Sequence, residues 1–273
     1  MLDVQSSEDF RQIPITKVGI TKVNHPIVFY DEPSLLADES SESQKTFPYG
    51  PQAYPTVGVF SLFAYLDADK KGTHMSRFLS VLYEHAPHLS FEKMNAFALD
   101  ITKVLETSRA YVEAEFPFFY EKSAPVSKIK GMTDVSVKIS VQADVSQNPN
   151  CQVELVVAVP IKSLCPCSKA ISEFGAHSQR GIITMTIKNP SLTIAQCIEI
   201  ADASASCPIY PVLKRADEKY VTETAYQNPR FVEDLVREAA VRLKEAGEVS
   251  FEVTAENFES IHNHNAYAVV SHF

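Results

Sequence analysis

No Cys-x-x-Cys pair occurs in the 273 residues, which excludes a thioredoxin-like redox site. A second close cysteine pair is also missing: Cys197 and Cys207 do not supply one beside Cys165 and Cys167, so a structural four-cysteine zinc site is not expected. There is no Gly-x-x-x-x-Gly-Lys-Ser/Thr loop, so a phosphate group would have to be held by side chains. No uninterrupted apolar run is long enough to span a bilayer. The first nine residues lack the basic-then-apolar order of a signal peptide. Excess positive charge is lacking too. The formal net charge is -9, which argues against a general nucleic-acid or membrane-surface binder. An anionic substrate must therefore meet a local cluster of Lys and Arg. The five cysteines are odd in number and irregularly spaced, which suits a reducing compartment, and a cytoplasmic protein is expected.

What the chain does have is an ordinary globular composition and enough length for one large or two modest domains. Residues 1 to about 12 read as a polar tail, and residues 31 to 55, rich in Ser, Glu and Pro, as a long loop. Val18 to Tyr30 reads as a strand broken at Pro26. Thr56 to Leu66, apolar on both faces, reads as a buried strand. Phe78 to Leu82 suggests a short helix, ended by Pro87. Ser90 can cap a second, with Met94, Phe97, Ile101, Val104 and Leu105 at three- and four-residue spacing. Arg109 to Tyr120 and Lys130 to Val145 read as strands, the second alternating cleanly.

The second half repeats the order. Cys151 to Leu164 and Gly181 to Lys188 are strand-like, and Ser191 to Ala203 is helical. Asn228 and Pro229 read as N-cap and first residue of another helix, burying Val232, Val236, Ala239 and Leu243. Ser250 to Ala255 and Ala266 to Ser271 are strand-like. Each half is an antiparallel sheet with two helices on one face. The fold class expected is α+β with two tandem units, 56–146 and 147–273, after an N-terminal segment 1–55. Such units leave sheet edges that joining subunits into a closed barrel would remove, so an oligomer is expected.

The densest chemistry lies in Ser163-Leu164-Cys165-Pro166-Cys167-Ser168-Lys169, followed by Gly175-Ala176-His177-Ser178-Gln179-Arg180. Pro166 cannot donate to a sheet ladder, so the strand should stop and leave Cys165 at its end. A thiol there, with a His twelve positions on, can hold a softer divalent metal or act as a nucleophile. Spacing alone reads equally well as a pair of buried, inert thiols.

This stretch resembles the signature of the type IB GTP cyclohydrolase I family. Two further stretches carry the resemblance in the family's order: Lys71-Gly72-Thr73-His74-Met75-Ser76-Arg77-Phe78 upstream, and Tyr210 to Glu223 running on to Asn228-Pro229-Arg230-Phe231-Val232-Glu233-Asp234 downstream. The resemblance implies a tunnelling fold (T-fold) and conversion of GTP and water to 7,8-dihydroneopterin triphosphate and formate. It implies a homo-oligomer, dimer or tetramer, with its active site at a subunit boundary.

Attack at C8 of guanine needs deprotonated water near neutral pH, which a divalent metal supplies. Cys165 and His177 can provide sulfur and nitrogen, and the resemblance points to Glu218 as the third ligand. Such a set suits zinc and does not exclude manganese or iron. The resemblance places the guanine anchor at Glu233, which spacing alone would read as an exposed helix pair with Arg237. His262 and His264, two apart, would face one side if extended, and either can serve as general acid or base, with Glu259 orienting one. Candidates for the triphosphate are His74, Arg77, Lys169 and Arg180, with Lys214 and Arg215. Two rivals stay open: a T-fold nitrile reductase with a covalent Cys and NADPH, and a metal- or nucleotide-binding module without catalysis.

Overall fold

The computed structural model describes residues 5, 7–31, 53–147 and 149–273, and these divide into two compact units. The long loop read at 31–55 falls, from 32 to 52, outside the described residues, as do residues 1–4 and 6 of the polar tail.

The first unit takes in Ala53–Pro117 and Lys138–Glu154 with the described N-terminal residues. Strand β1 (Ile15–Phe29) pairs antiparallel with β2 (Pro55–Leu66). The break expected at Pro26 does not occur: Pro26 stays in register opposite Val57. The irregularities come earlier, and one contains Lys22 at positive φ. Helix α1 (Met75–His85), the two-residue β3 (His88–Leu89) and helix α2 (Phe91–Val104) follow. Ser90 caps α2 as expected, its hydroxyl accepting from Lys93 N. Strands β4 (Arg109–Ser123) and β5 (Lys130–Asp144) complete the half, and the unit's strand order is β3-β1-β2-β4-β5, ending on the next strand, β6 (Asn150–Leu164). β2 is not buried on both faces. Phe60, Leu62, Ala64 and Leu66 enter the core, while Val57 and Val59 on the other face are exposed, as befits a sheet with one core face.

The second unit takes in Phe118–Val137 and Leu155–Phe273, so β4, β5 and β6 are each divided between the two. After β6 come the short helix α3 (Pro166–Ile171), β7 (Ser178–Lys188), helix α4 (Ile194–Ser204), the two-residue β8 (Cys207–Pro208), helices α5 (Arg215–Gln227) and α6 (Val232–Glu245), then β9 (Phe251–Asn257) and β10 (Ala266–His272). The order here is β10-β9-β7-β6-β5-β4, with β8 paired to β6. Inward residues Leu155, Val157, Val159 and Ile161 of β6, Ile183 and Met185 of β7 and Val253 of β9 are buried. α6 packs on β9, β10 and α4, burying Val232, Leu235, Val236, Ala239 and Leu243, the periodic face read from sequence with Leu235 added.

The helix start read at Asn228 is corrected. Asn228 closes α5, its side-chain amide donating to Ala205 O at 2.9 Å. α6 begins three residues later, where Phe231 N donates to Asp234 Oδ2 at 2.9 Å. Helix α5 packs through Ala225 and Val221 on Leu164, Cys207, Ala176 and Tyr210. Its first turn is fixed by the buried Asp217, which accepts from Val126 N, Ser127 N, Ser127 Oγ and Lys214 N.

Candidate active site

Pro166 ends β6 by opening α3, whose N-cap is Cys165. The cap is local and polar: Ser168 N donates to Cys165 Sγ at 3.5 Å, and Ser168 Oγ to Cys165 O at 3.2 Å. The chain then turns back through Gly175, whose φ of +91° an L side chain rarely adopts. This return sets His177 beside Cys165. His177 N donates to Ser168 Oγ at 3.2 Å, and Cys165 N donates to His177 O at 3.1 Å.

The imidazole is oriented by its neighbours. Nδ1 lies 3.0 Å from Gln179 Oε1 and 3.8 Å from Glu259 Oε2. Gln179 Oε1 is an acceptor at hydrogen-bond distance and Glu259 an acceptor beyond it, an arrangement that favours the tautomer with its proton on Nδ1 and a lone pair on Nε2.

Cys165 and His177 line a cavity of about 330 Å³ with Ser163 and Gln179. Its far wall comes from Arg230, Phe231 and the first turn of α6, including Glu233. Asn257, Glu259, His262 and His264 close it. The histidine segment is a series of bends rather than extended, yet both rings reach the cavity, stacked with centroids 5.0 Å apart and 16° between planes. The cavity thus gathers Cys165, His177, Glu233, Glu259, His262 and His264 from three separate stretches of chain.

Other residues singled out in the sequence stand elsewhere. Glu218 is exposed on the first turn of α5 and is not part of the cavity wall. Lys169 donates to Tyr226 O and sits over the Tyr226 ring. Arg180 lines a second cavity of about 310 Å³ with Lys162, Ser178 and Tyr210. Burial pushes the Tyr210 phenol up. Lys214 and Arg215 are exposed at the start of α5. His74 and Arg77 belong to the first unit, where His74 precedes α1 and Arg77 Nη1 donates to Val104 O at 3.1 Å. Cys167 is exposed on α3, and Cys207, whose thiol burial pushes up to about 11, is buried away from solvent.

Cys165 and His177 have the donor chemistry for a softer divalent ion. Among the described residues, no three His, Cys, Asp or Glu side chains stand grouped to hold one. The pair therefore fits a metal, while the third donor is not in place.

Sequence reading gave no role to Ser163, Gln179, Arg230 or Asn257. Ser163 and Asn257 had a usable signal: each continues the inward register of a strand, after Ile161 and Ala255, with a polar residue where the pattern demands an apolar one.

Comparison with known proteins decides the family. A family model described as type I GTP cyclohydrolase FolE2 matches residues 1–268. The chain belongs to the type I GTP cyclohydrolase FolE2 family. It is 44% identical over 272 residues to GTP cyclohydrolase FolE2 of Burkholderia multivorans, covering 99% of this chain and 94% of that one. The FolE2 protein of Burkholderia ambifaria is 45% identical over 273 residues, with the same coverage. FolE2 membership makes the chain an enzyme of the GTP cyclohydrolase class. Among solved structures, that of a highly active BTUO mutant superposes with a TM-score of 0.50 at 9% identity, covering 94% of this chain and 100% of that one. At that identity the likeness is one of fold alone. Urate oxidase from Bacillus subtilis 168 gives a TM-score of 0.47 at 7% identity, covering 94% of this chain and 98% of that one.

Proposed function

We propose that this FolE2 chain converts GTP and water to 7,8-dihydroneopterin triphosphate and formate in the Cys165–His177 cavity. One observation carries the reading: a thiol, an oriented imidazole, a carboxylate on a helix start and a stacked histidine pair all line the same cavity.

Glu233 accepts from N1–H and the exocyclic amine of guanine, the two donors that a single carboxylate can take together. Cys165 and His177 would hold a divalent ion, zinc, manganese or iron, with Glu218 as the third donor that the resemblance calls for. Bound there, the ion supplies acidified water for attack at C8. Gln179 Oε1, at hydrogen-bond distance from Nδ1, would hold the His177 ring so that Nε2 is left for the ion. The His262–His264 pair moves protons: one ring gives a proton to the nitrogen released as the C8–N9 bond breaks, and the pair then serves the second water that cleaves the formamide to formate. Ring closure on the sugar carbon returns one water, so one is consumed overall.

The same reading takes residues 56–146 and 147–273 as tandem T-fold units of a cytoplasmic homo-oligomer, a dimer or tetramer, with the cavity at a subunit boundary. The exposed Tyr267 and Val269 on β10, which ends the strand order, support it. Light scattering of the purified protein tests the assembly: a dimer or tetramer is expected, and a monomer at micromolar concentration contradicts it.

The activity is tested by incubating purified protein with GTP and added Zn²⁺ or Mn²⁺, with and without chelator, and following pterin fluorescence. Metal-dependent fluorescence and formate are expected. Fluorescence that survives chelation overturns the metal, and none under any condition overturns the reaction.

A further inference from the structure

Asn257 of β9 stands in register opposite Gly181 of β7, and its side chain does not stop at that strand. Its Nδ2 donates to Ser163 Oγ on β6, at 3.1 Å. The crossing needs the glycine: a Cβ on residue 181 would come within 2.6 Å of Asn257 Oδ1. Ser163 is fully buried and passes the contact on, its hydroxyl donating to Arg230 O at 3.1 Å. Arg230 N in turn donates to Leu164 O at 3.0 Å. Both backbone polar groups of Arg230 are thus held by the last two residues of β6. The residue that follows β6 is Cys165, and three residues beyond Arg230 is Glu233. The two ends of the cavity are tied through this one chain of hydrogen bonds.

Asn257 is 2% exposed, and its Oδ1 is buried without a hydrogen-bond partner among the described residues. An unpaired buried amide oxygen is unfavourable, and an apolar residue would continue the strand's inward face without it. The amide is therefore explained by where its N–H reaches, not by packing.

We infer that Asn257 and Ser163 are positioning residues that set Glu233 against Cys165, and with it the fidelity with which a guanine edge is told from a purine lacking the exocyclic amine. The inference rests on the GTP reading of the cavity. An acceptor held by a rigid chain reads a donor's position, whereas one on a loosened helix start binds either purine alike.

The test compares GTP with ITP, which lacks that amine, in wild type, Ser163→Ala, Asn257→Leu and the double variant. Asn257→Asp, close to isosteric but without the N–H, is a second route should Asn257→Leu fold poorly. Turnover and calorimetric binding are both measured, so the preference is read even if wild type releases no formate. That last result would end the proposed reaction and not the positioning. Each single variant is expected to lower the GTP-over-ITP preference about tenfold to a hundredfold, chiefly through KM for GTP. The double variant should fall little further, because both residues act in one chain. Ser163→Thr, which keeps the hydroxyl, should restore the preference. A preference left at the wild-type value, or equal losses for GTP and ITP, overturns the inference.

Discussion

The amide of Cys165 donates to the carbonyl oxygen of His177 at 3.1 Å. The bond joins residues twelve apart in sequence and involves neither side chain. With the Ser168 hydroxyl between them, it brings Cys165 and His177 to the lining of one cavity.

Because the backbone makes that contact, Cys165→Ala should keep the fold and lose the chemistry. The variant is expected to melt within a few degrees of wild type, with kcat/KM down on the order of 10³-fold or more, about 4 kcal/mol of transition-state stabilisation. Pterin fluorescence and a circular-dichroism melt check both halves. A rate within tenfold of wild type would remove Cys165 from the reaction.

Gln179 acts on His177 from behind. Gln179→Ala removes the acceptor at Nδ1, and about 10- to 100-fold in metal affinity should go with it. Metal retained after dialysis, measured by elemental analysis, is the readout, and Gln179→Glu, which keeps an acceptor, should retain most of it.

Asp217 gives the chain a marked acid response. Burial alone would raise its carboxyl, but hydrogen bonds from Ser127, Lys214 and Val126 outweigh that and hold it well below the usual carboxylate range. Its contribution is present above the unfolded carboxylate value near ~3.9 and is lost as pH falls through the lower folded value. Asp217→Asn should therefore lower Tm by on the order of 5 °C at pH 7, and the gap should begin to narrow below about pH 4. Paired thermal melts from pH 7 to pH 3 test this, and a gap that widens toward acid would contradict it.

Lys122 and Asp202 form a buried pair at 2.5 Å, with side chains 6% and 7% exposed. Removing one partner takes the buried ion pair away from the other. Asp202→Ala is expected to cost about 3–5 kcal/mol in chemical denaturation, while Lys122→Met with Asp202→Leu should cost far less. Equal losses in the single and double variants would show that the two charges are not coupled.

Much of the architecture was legible because strands and helices are periodic. The inward faces of β5 and α6 follow from side-chain spacing, and the Ser90 cap from residue type. The start of α6 was misread because Asn228-Pro229 has the composition of a helix start, whereas Asn228 spends its amide on Ala205 O, a tertiary contact that no local pattern reveals. The histidine pair was legible as a pair but not as a stack, since it lies in bends with no period to read. Ser163 and Asn257 were passed over because their meaning lies across two strands, in partners brought together only by the sheet.

The most direct measurement is NMR of GTP labelled with ¹³C at C8, incubated with wild type, Cys165→Ala and Glu233→Ala. The account predicts labelled formate from wild type with metal, almost none from Cys165→Ala, and a rate from Glu233→Ala that recovers only at much higher GTP. Labelled formate from Cys165→Ala at the wild-type rate would contradict it.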